Sequence, residues 1–334
     1  MKSSRSTRVP VTTSPALENK AAWRPSCDWR ALQRRAAMLD EIRAFFRRVG
    51  VLEVETPQLW FTTALDPHLA SIATDDAGGL YLQTSPEFAM KRLLAAGSGS
   101  IYQICKAFRR GEAGRWHNPE FTLLEWYRVG FDLPRLMEEV AGLLDELLGD
   151  AIEGRQYHAY AALFEAHIGV SWEAPLVRFE RRAEALGFPE AASLCGEDRT
   201  LWLDFLFSHV IQPRLPRRTL VLVHDYPAPL AALARLKPED PRVADRFEVF
   251  VDGIELANGY RELIDPVEQR RRFEADLSRR RRAGLSLPPL DDDLLAALES
   301  GLPDCSGVAM GIDRVLMLAL GLMALNEVLA FPLS

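Results

Sequence analysis

The Asp-Gly pair at 252–253 is the tightest constraint that the sequence places on its fold. It interrupts RFEVFVDGIELANGY, where Phe247, Val249 and Val251 alternate with other residues. Alternation at period two marks a strand with one buried face, and Asp-Gly is a preferred pair for a two-residue turn. The chain is therefore committed to an antiparallel hairpin here. A second strand pair comes from IYQICKAFR and FRRGEAGRWHNPEFTLLEWYR (108–128), which read as strand to Arg109, loop over 110–119 and strand over 120–129.

Helices surround these strands. Leu32, Leu39, Ile42, Phe46 and Val49 recur at helical spacing, Gly50 supplies a left-handed cap, and VLEVETP continues as a strand stopped by Pro57. LYLQTSPE reads as a further strand before a helical EFAMKRLLAAG. Over 132–148, Leu133, Leu136, Met137, Val140, Leu144 and Leu147 share one helical face, and TLVLVHDYP reads as a buried strand. Asp265-Pro266 with Glu268 predicts an N-cap, a proline at the first helical position and a capping glutamate. DCSGVAMGIDRVLMLALGL predicts a Gly-punctuated strand running into an apolar helix, and residues 150–218 read as an insertion. The expected class is α+β, an antiparallel β-sheet flanked by helices in one domain over 23–334, with 1–22 a disordered tail.

Composition narrows the function. At 48% hydrophobic residues the 334-residue chain can bury a full core, and a net charge of −7 argues against wrapping nucleic acid. Cys27, Cys105, Cys195 and Cys305 include no C-x-x-C pair, and the histidines show no H-E-x-x-H. A disulfide framework or zinc site is not expected, and a reducing cytoplasm fits. No apolar run reaches the ~18 residues of a membrane span.

Three constellations carry chemistry. In the first, Arg109 ends a strand and Arg110 and Arg115 follow on the loop, where planar guanidinium forks suit phosphate. Phe121 offers a stacking face, and Glu125 and Tyr127, two apart on a strand, share a side that suits an ammonium group. An exposed, salt-bridged hairpin would use the same residues. The second is Glu248, Glu255, Asn258 and Glu262, which could hold Mg²⁺ against phosphates or serve as ordinary strand-face polarity. The third is GVAMGIDR, where Gly307 and Gly311 allow close backbone approach before Arg314, or simply join a strand to a helix. The arginines at 279–282 read as a solvated helix end, with a docking patch as the alternative.

Together these residues resemble the catalytic core of a class II aminoacyl-tRNA synthetase of the lysyl type. GVLEVETP with its preceding helix is similar to motif 1, FRRGEAGRWHNPEFTLLEWYR to motif 2 and GVAMGIDR to motif 3. TSPE (84–87) and IELANGYREL (254–263) resemble lysyl-type features, and the likeness covers about residues 25–334. HNPEFTLLEWYR, GIELANG and LPDCSGVAMG look most like the truncated lysyl-synthetase paralogues that modify elongation factor P.

That resemblance implies ATP-dependent activation of (R)-β-lysine, or lysine, as an adenylate, then transfer to the ε-amino group of a lysine on elongation factor P. It implies a homodimer through 29–57. It also implies no tRNA acceptor, because the short stretch before Trp29 leaves no room for an anticodon-binding domain. By the same resemblance, Arg109 holds the α-phosphate and substrate carboxylate, Arg314 grips the γ-phosphate, and His117, Asn118 and Phe121 take the adenine. Arg110, Gly111, Leu256 and Gly311 complete the ATP site, and Glu255, with Glu248, serves ATP through Mg²⁺. Ser85, Pro86, Glu87, Glu125, Tyr127, Asn258 and Glu262 form a diamine pocket, with Glu262 and Tyr127 at the distal ammonium. Ala309 stands where lysyl-tRNA synthetases have glycine, and its methyl would crowd an α-amino group and favour the β-isomer. Two departures are RRGE in place of RNEG, which moves the acidic residue to Glu112, and Tyr260 in place of a frequent Phe. A tRNA-charging enzyme that borrows a partner, or an inactive regulatory paralogue, would share most of these motifs.

Overall fold

The computed structural model describes residues 23–74 and 79–333, so the tail expected over 1–22 lies outside the described residues. Helix α1 (Trp29–Arg48) starts at Asp28, whose side chain accepts from the Ala31 amide at 2.8 Å, and Gly50 follows its end at φ +69°. Strand β1 (Leu52–Glu53) leads to a small three-stranded sheet of β2 (Leu59–Trp60), β3 (Ile72–Ala73) and β4 (Tyr81–Leu82). Next come α2 (Glu87–Ala95), β5 (Ile101–Phe108), β6 (Glu120–Val129), α3 (Leu133–Leu148) and β7 (Gly154–Ala159). The segment read as an insertion contains β7 and four helices, α4 (Tyr160–Ile168), α5 (Leu176–Ala185), α6 (Ala191–Cys195) and α7 (Arg199–Leu206). Then follow β8 (Thr219–Pro227), β9 (Val243–Val251), β10 (Ile254–Arg261), α8 (Pro266–Arg282), α9 (Asp292–Gly301), β11 (Cys305–Gly311) and α10 (Ile312–Ala319).

The main sheet has eight strands in the order β1-β5-β6-β11-β10-β9-β8-β7. Its centre is antiparallel, as the hairpins require, but both edge pairs, β1 with β5 and β7 with β8, are parallel. Those two edges are made by strands that return across helices, which a hairpin-based reading does not detect. The Asp252-Gly253 turn holds both residues at positive φ, 53° and 74°, as a two-residue turn of this hand demands.

Alternation along the strands separates two faces. Leu124 and Trp126 of β6, Val308 and Met310 of β11, Ala257 of β10, and Phe247 and Val249 of β9 pack against α1, α3 and α10 in the largest core cluster. Phe46 of α1 stacks on Tyr102 at 4.2 Å within it. On the other face α2, α8 and α9 cover one end with Met90, Leu94, Phe273 and Leu298. The helices of the insertion cover the other end through Phe164, Trp202 and Leu206 over Val221, Val223 and Phe250. The middle of that face stays uncovered.

Two local expectations change. Asp265 caps α8 by accepting from the Val267 and Glu268 amides, but Glu268 turns to Arg271 and Arg272 instead of completing a capping box. Arg280 in the basic run is buried rather than solvated. Its guanidinium donates to the carbonyls of Ser286 and Asp66 at 2.7 and 2.9 Å, so the end of α8 is tied to the loop before β3.

Gly259 lies on the packed face, where an added Cβ would stand 2.4 Å from the Phe247 ring and 3.0 Å from Val308 Cβ. We therefore expect Gly259→Ala to cost about 1–3 kcal/mol of stability by overpacking, read as a lower urea midpoint at constant slope. An unchanged midpoint would mean that the core yields at this position without cost.

Candidate active site

The uncovered middle of the sheet forms a cavity of about 890 Å³. Strand register decides what lines it. Gly307 pairs with Tyr127 on one side and Tyr260 on the other, and Tyr260 pairs with Arg246. The next row on the same face is Glu125, Ala309, Asn258 and Glu248. Two cross-strand rows of four therefore present their polar side chains to one space. Gly307 is required there, because a Cβ would meet the Tyr127 ring at 2.4 Å and Glu262 Oε1 at 2.6 Å.

Glu255 reaches the cavity by a different device. Strict alternation would turn it away from Asn258, but β10 carries a bulge between Glu255 and Ala257. The extra residue re-aims the side chains, and both Glu255 and Leu256 line the cavity.

At one end, the sheet face meets the first turn of α2. Tyr127 donates its hydroxyl to Glu125 at 2.6 Å, and Ser85 donates to the other Glu125 oxygen at 2.7 Å. The Glu87 amide donates in turn to Ser85 Oγ at 3.0 Å, just after Pro86 starts the helix. Lys91, one turn further along α2, is buried with its ammonium 2.6 Å from Glu87 and 2.7 Å from Glu262. Beside them, Arg246 pairs with Glu248, donates to Asn258 Oδ1 at 3.2 Å and lies over the Tyr226 ring. Tyr226 donates to Glu248 at 2.6 Å, and Tyr260 accepts from Asn258 at 3.2 Å. Four carboxylates (Glu87, Glu125, Glu248 and Glu262) thus face two cations (Lys91 and Arg246). Burial leads the shifts that push Glu125 up to about 8 and Glu248 up to about 7. Carboxyl groups outnumber cations in this pocket, the raised values let protons make up part of the difference, and ammonium groups of a ligand would replace those protons.

The other end is cationic. Arg109, at the end of β5, lies over the Phe121 ring at 5.0 Å and 3.6 Å from Glu112, and its buried Nε has no hydrogen-bond partner. Arg314 donates to the carbonyls of Trp116 and Glu255 at 3.1 and 2.8 Å, which fixes it between the loop 110–119 and β10. Its neighbour Asp313 is buried, accepting from Arg35 of α1 at 2.6 Å and from the Thr122 amide at 2.7 Å.

The predicted residues divide accordingly. Ser85, Pro86, Glu87, Arg109, His117, Asn118, Phe121, Glu125, Tyr127, Glu248, Glu255, Leu256, Asn258, Glu262, Ala309, Gly311 and Arg314 all border the cavity. Arg110 and Gly111 are exposed and lie outside its walls, on the turn after β5. Asn118 lines the cavity, yet its side chain is committed to the Glu120 carbonyl and the Leu333 amide. Both Glu248 oxygens are held, one by Arg246 and one by Tyr226, so Glu255 is the less encumbered carboxylate of the expected metal pair. Sequence reasoning missed Lys91, although Glu87 and Lys91 stand at the i,i+4 spacing of a helical ion pair. It missed Arg246, two residues before Glu248 on one strand face, and Thr200 and Asp204, which the insertion brings to the cavity wall.

Comparison with known proteins gives the family. The profile of the class II tRNA synthetases (D, K and N) matches residues 23–334. An elongation factor P–(R)-β-lysine ligase of Vibrio cholerae is 49% identical over 318 residues, covering 93% of this chain and 97% of the relative. Proteins of the same name from Edwardsiella ictaluri and Klebsiella pneumoniae are each 46% identical over 326 residues, covering 95% of this chain and 99% of each relative.

A pH dependence follows from Glu125. With its carboxyl near 8 in the empty pocket, it holds a proton below that pH, and an arriving ammonium favours the ionised form. The free protein then binds more protons than the complex. Binding of lysine or β-lysine should release protons, and affinity should rise between pH 6 and 8. Calorimetry in buffers of different ionisation enthalpy measures this; zero proton release at pH 7 would show that Glu125 stays in one state throughout.

Proposed function

The chain belongs to the class II tRNA synthetases (D, K and N), and from that premise we propose that it is an ATP-dependent ligase joining (R)-β-lysine to elongation factor P. The proteins of that name cover nearly all of it at 46–49% identity. The observation that carries the reading is the charge arrangement of the cavity. A face where carboxyl groups outnumber cations lies beside an end with two arginines, which suits a diamino acid held next to a polyphosphate.

The chemistry needs no covalent enzyme intermediate. The substrate carboxylate attacks the α-phosphorus of ATP, diphosphate leaves, and an acyl-adenylate forms. The acceptor amine then attacks the acyl carbon and AMP departs. Arg109, with its unpartnered buried Nε, meets the charge that builds on the α-phosphate, and Arg314 meets the terminal phosphate. Phe121 offers a ring for the adenine, with Arg109 along its face. Glu87, Glu125 and Glu262 hold the two ammonium groups. Ala309, in register with Glu125 and Asn258, puts a methyl into the floor between them and favours an amine one carbon further from the carboxylate. Among the described residues no group of three His, Cys, Asp or Glu could hold a metal by itself. The donor set still fits Mg²⁺, which takes most of its ligands from phosphates and water. Glu255 would hold it, with Glu248 behind, and the ion would neutralise phosphate charge.

We read the chain as a homodimer through α1 and β1. Exposed apolar side chains lie on and after these elements, Trp29 opening α1, Leu52 on β1 and Leu59 and Phe61 at β2, with Leu52 at 58% and Phe61 at 59%. Apolar surface of this kind, next to a two-residue edge strand, suits a self-complementary contact. No helix among the described residues is long and apolar enough to cross a membrane. The cytoplasm, where elongation factor P works, is the proposed location.

Mass spectrometry of elongation factor P after incubation with the protein, ATP and each lysine isomer tests the function. We expect one β-lysyl addition on one lysine. In the same assay Arg109→Ala should lose about 10²–10³ in rate, and Ala309→Gly should shift the isomer ratio toward α-lysine by about 1–3 kcal/mol. Label on tRNA and none on elongation factor P would favour a tRNA-charging enzyme, and no adenylate with either isomer would favour an inactive paralogue. Sedimentation at micromolar concentration should give a dimer, and a monomer would remove the proposed α1–β1 contact.

A further inference from the structure

Among the described residues, Lys91 is the one buried cation that a helix supplies to the amine pocket. Its side chain is only 2% exposed, yet it sits on a helix otherwise buried through Met90 and Leu94. A lysine in that place is costly unless it is paired. Both of its partners, Glu87 at 2.6 Å and Glu262 at 2.7 Å, belong to the pocket wall. They come from different parts of the fold. Glu87 opens α2, while Glu262 follows β10 and is anchored through its amide to the Cys305 carbonyl at 3.0 Å.

The division of oxygens is informative. Lys91 takes Glu262 Oε2, and the other oxygen, Oε1, lies over Gly307, 2.6 Å from where a Cβ would stand. Lys91 likewise takes Glu87 Oε1. Lys91 therefore holds one oxygen of each carboxylate, and the Glu262 carboxylate is further fixed against the Gly307 backbone at the cavity wall. Without the ammonium, the buried Glu262 carboxylate and the mostly buried Glu87 carboxylate would face each other, and like charges in low dielectric swing apart or take up a proton. Burial alone would lower Lys91, but Glu262 and Glu87 hold its ammonium above the ordinary lysine value.

We propose that Lys91 is a positioning residue: an internal counter-ion that bridges Glu87 and Glu262 and fixes the Glu262 carboxylate at the cavity wall to receive the distal ammonium of the substrate. This rests on the reading of the pocket as a diamino-acid site. Lys91 itself touches no reacting atom. Burial raises the Glu262 carboxyl to about 7 and Lys91 opposes that rise, so its contribution is selectivity for the distal amine: it favours the ionised, fixed Glu262 that makes that amine essential.

The test compares (R)-β-lysine with 3-aminohexanoic acid, the same β-amino acid without the distal amine, in ATP–pyrophosphate exchange. Wild type should favour β-lysine strongly, since a site built around a polar partner rejects analogues that lack it. In Lys91→Met the ratio of the two kcat/KM values should fall at least about tenfold, chiefly through a higher KM for β-lysine, with KM for ATP held. Lys91→Arg keeps the charge and should retain most of the discrimination. A purely structural lysine would lower both substrates together, so a Lys91→Met ratio equal to wild type overturns the proposal. So does a folded Lys91→Arg that has lost discrimination, which decides the matter if Lys91→Met does not fold. If wild type itself accepts both substrates equally, the diamino-acid reading fails instead, independently of Lys91.

Discussion

The shared register of β6, β11, β10 and β9 is the constraint on which the site depends. Tyr127, Gly307, Tyr260 and Arg246 form one row across four strands, and Glu125, Ala309, Asn258 and Glu248 form the next. A slip of one residue in any of these strands would send its polar side chains into the apolar layer under α1 and α3. It would also bring its core residues, Trp126, Phe247 or Met310 among them, out to the cavity. The tight packing of one face and the chemistry of the other are thus specified by the same hydrogen-bond ladder. Asp313 adds a lock, because its carboxylate joins α1, through Arg35, to the start of β6, through Thr122, behind the ligand-facing surface.

Charge on the open face is organised as two unequal ends. At one end, fixed cations on α2 and β9 partly neutralise four carboxyl groups, which leaves a pocket that is anionic without being wholly uncompensated. At the cationic end, Arg109 follows directly on β5 and Arg314 stands at the start of α10. Arg314 is oriented by main-chain carbonyls, so its charge is not spent on a close partner carboxylate; Glu255 comes only to 4.0 Å. The insertion between α3 and β8 shares in this surface. Its helices build their own aromatic cluster over β8 and β9, and α7 lends Thr200 and Asp204 to the cavity wall. A segment that reads only as an interruption therefore closes one side of the site.

Local rules carried most of the elements. Period-two alternation and the Asp252-Gly253 turn determine the hairpin of β9 and β10, because strand pleat and turn hand act over a few residues. Helical spacing determines α1 and α3 for the same reason, and the resemblance to the class II motifs, rather than spacing, gathered Arg109, Glu125, Tyr127, Glu262 and Arg314 into one expected site. What the sequence left open depends on contacts between distant segments. The parallel edges, the bulge that turns Glu255 inward, the burial of Arg280 and the capture of Glu268 by Arg271 and Arg272 arise where separate elements meet. Lys91 shows the distinction most clearly. Sequence spacing alone permits an ion pair with Glu87 on a solvated helix face. Tertiary structure decided that this face is buried and that Glu262, 171 residues further along the chain, completes the pair. The reason is physical: a local pattern records which neighbours a side chain can reach along its own element, while the dielectric around a charge and its second partner are set only when the elements pack.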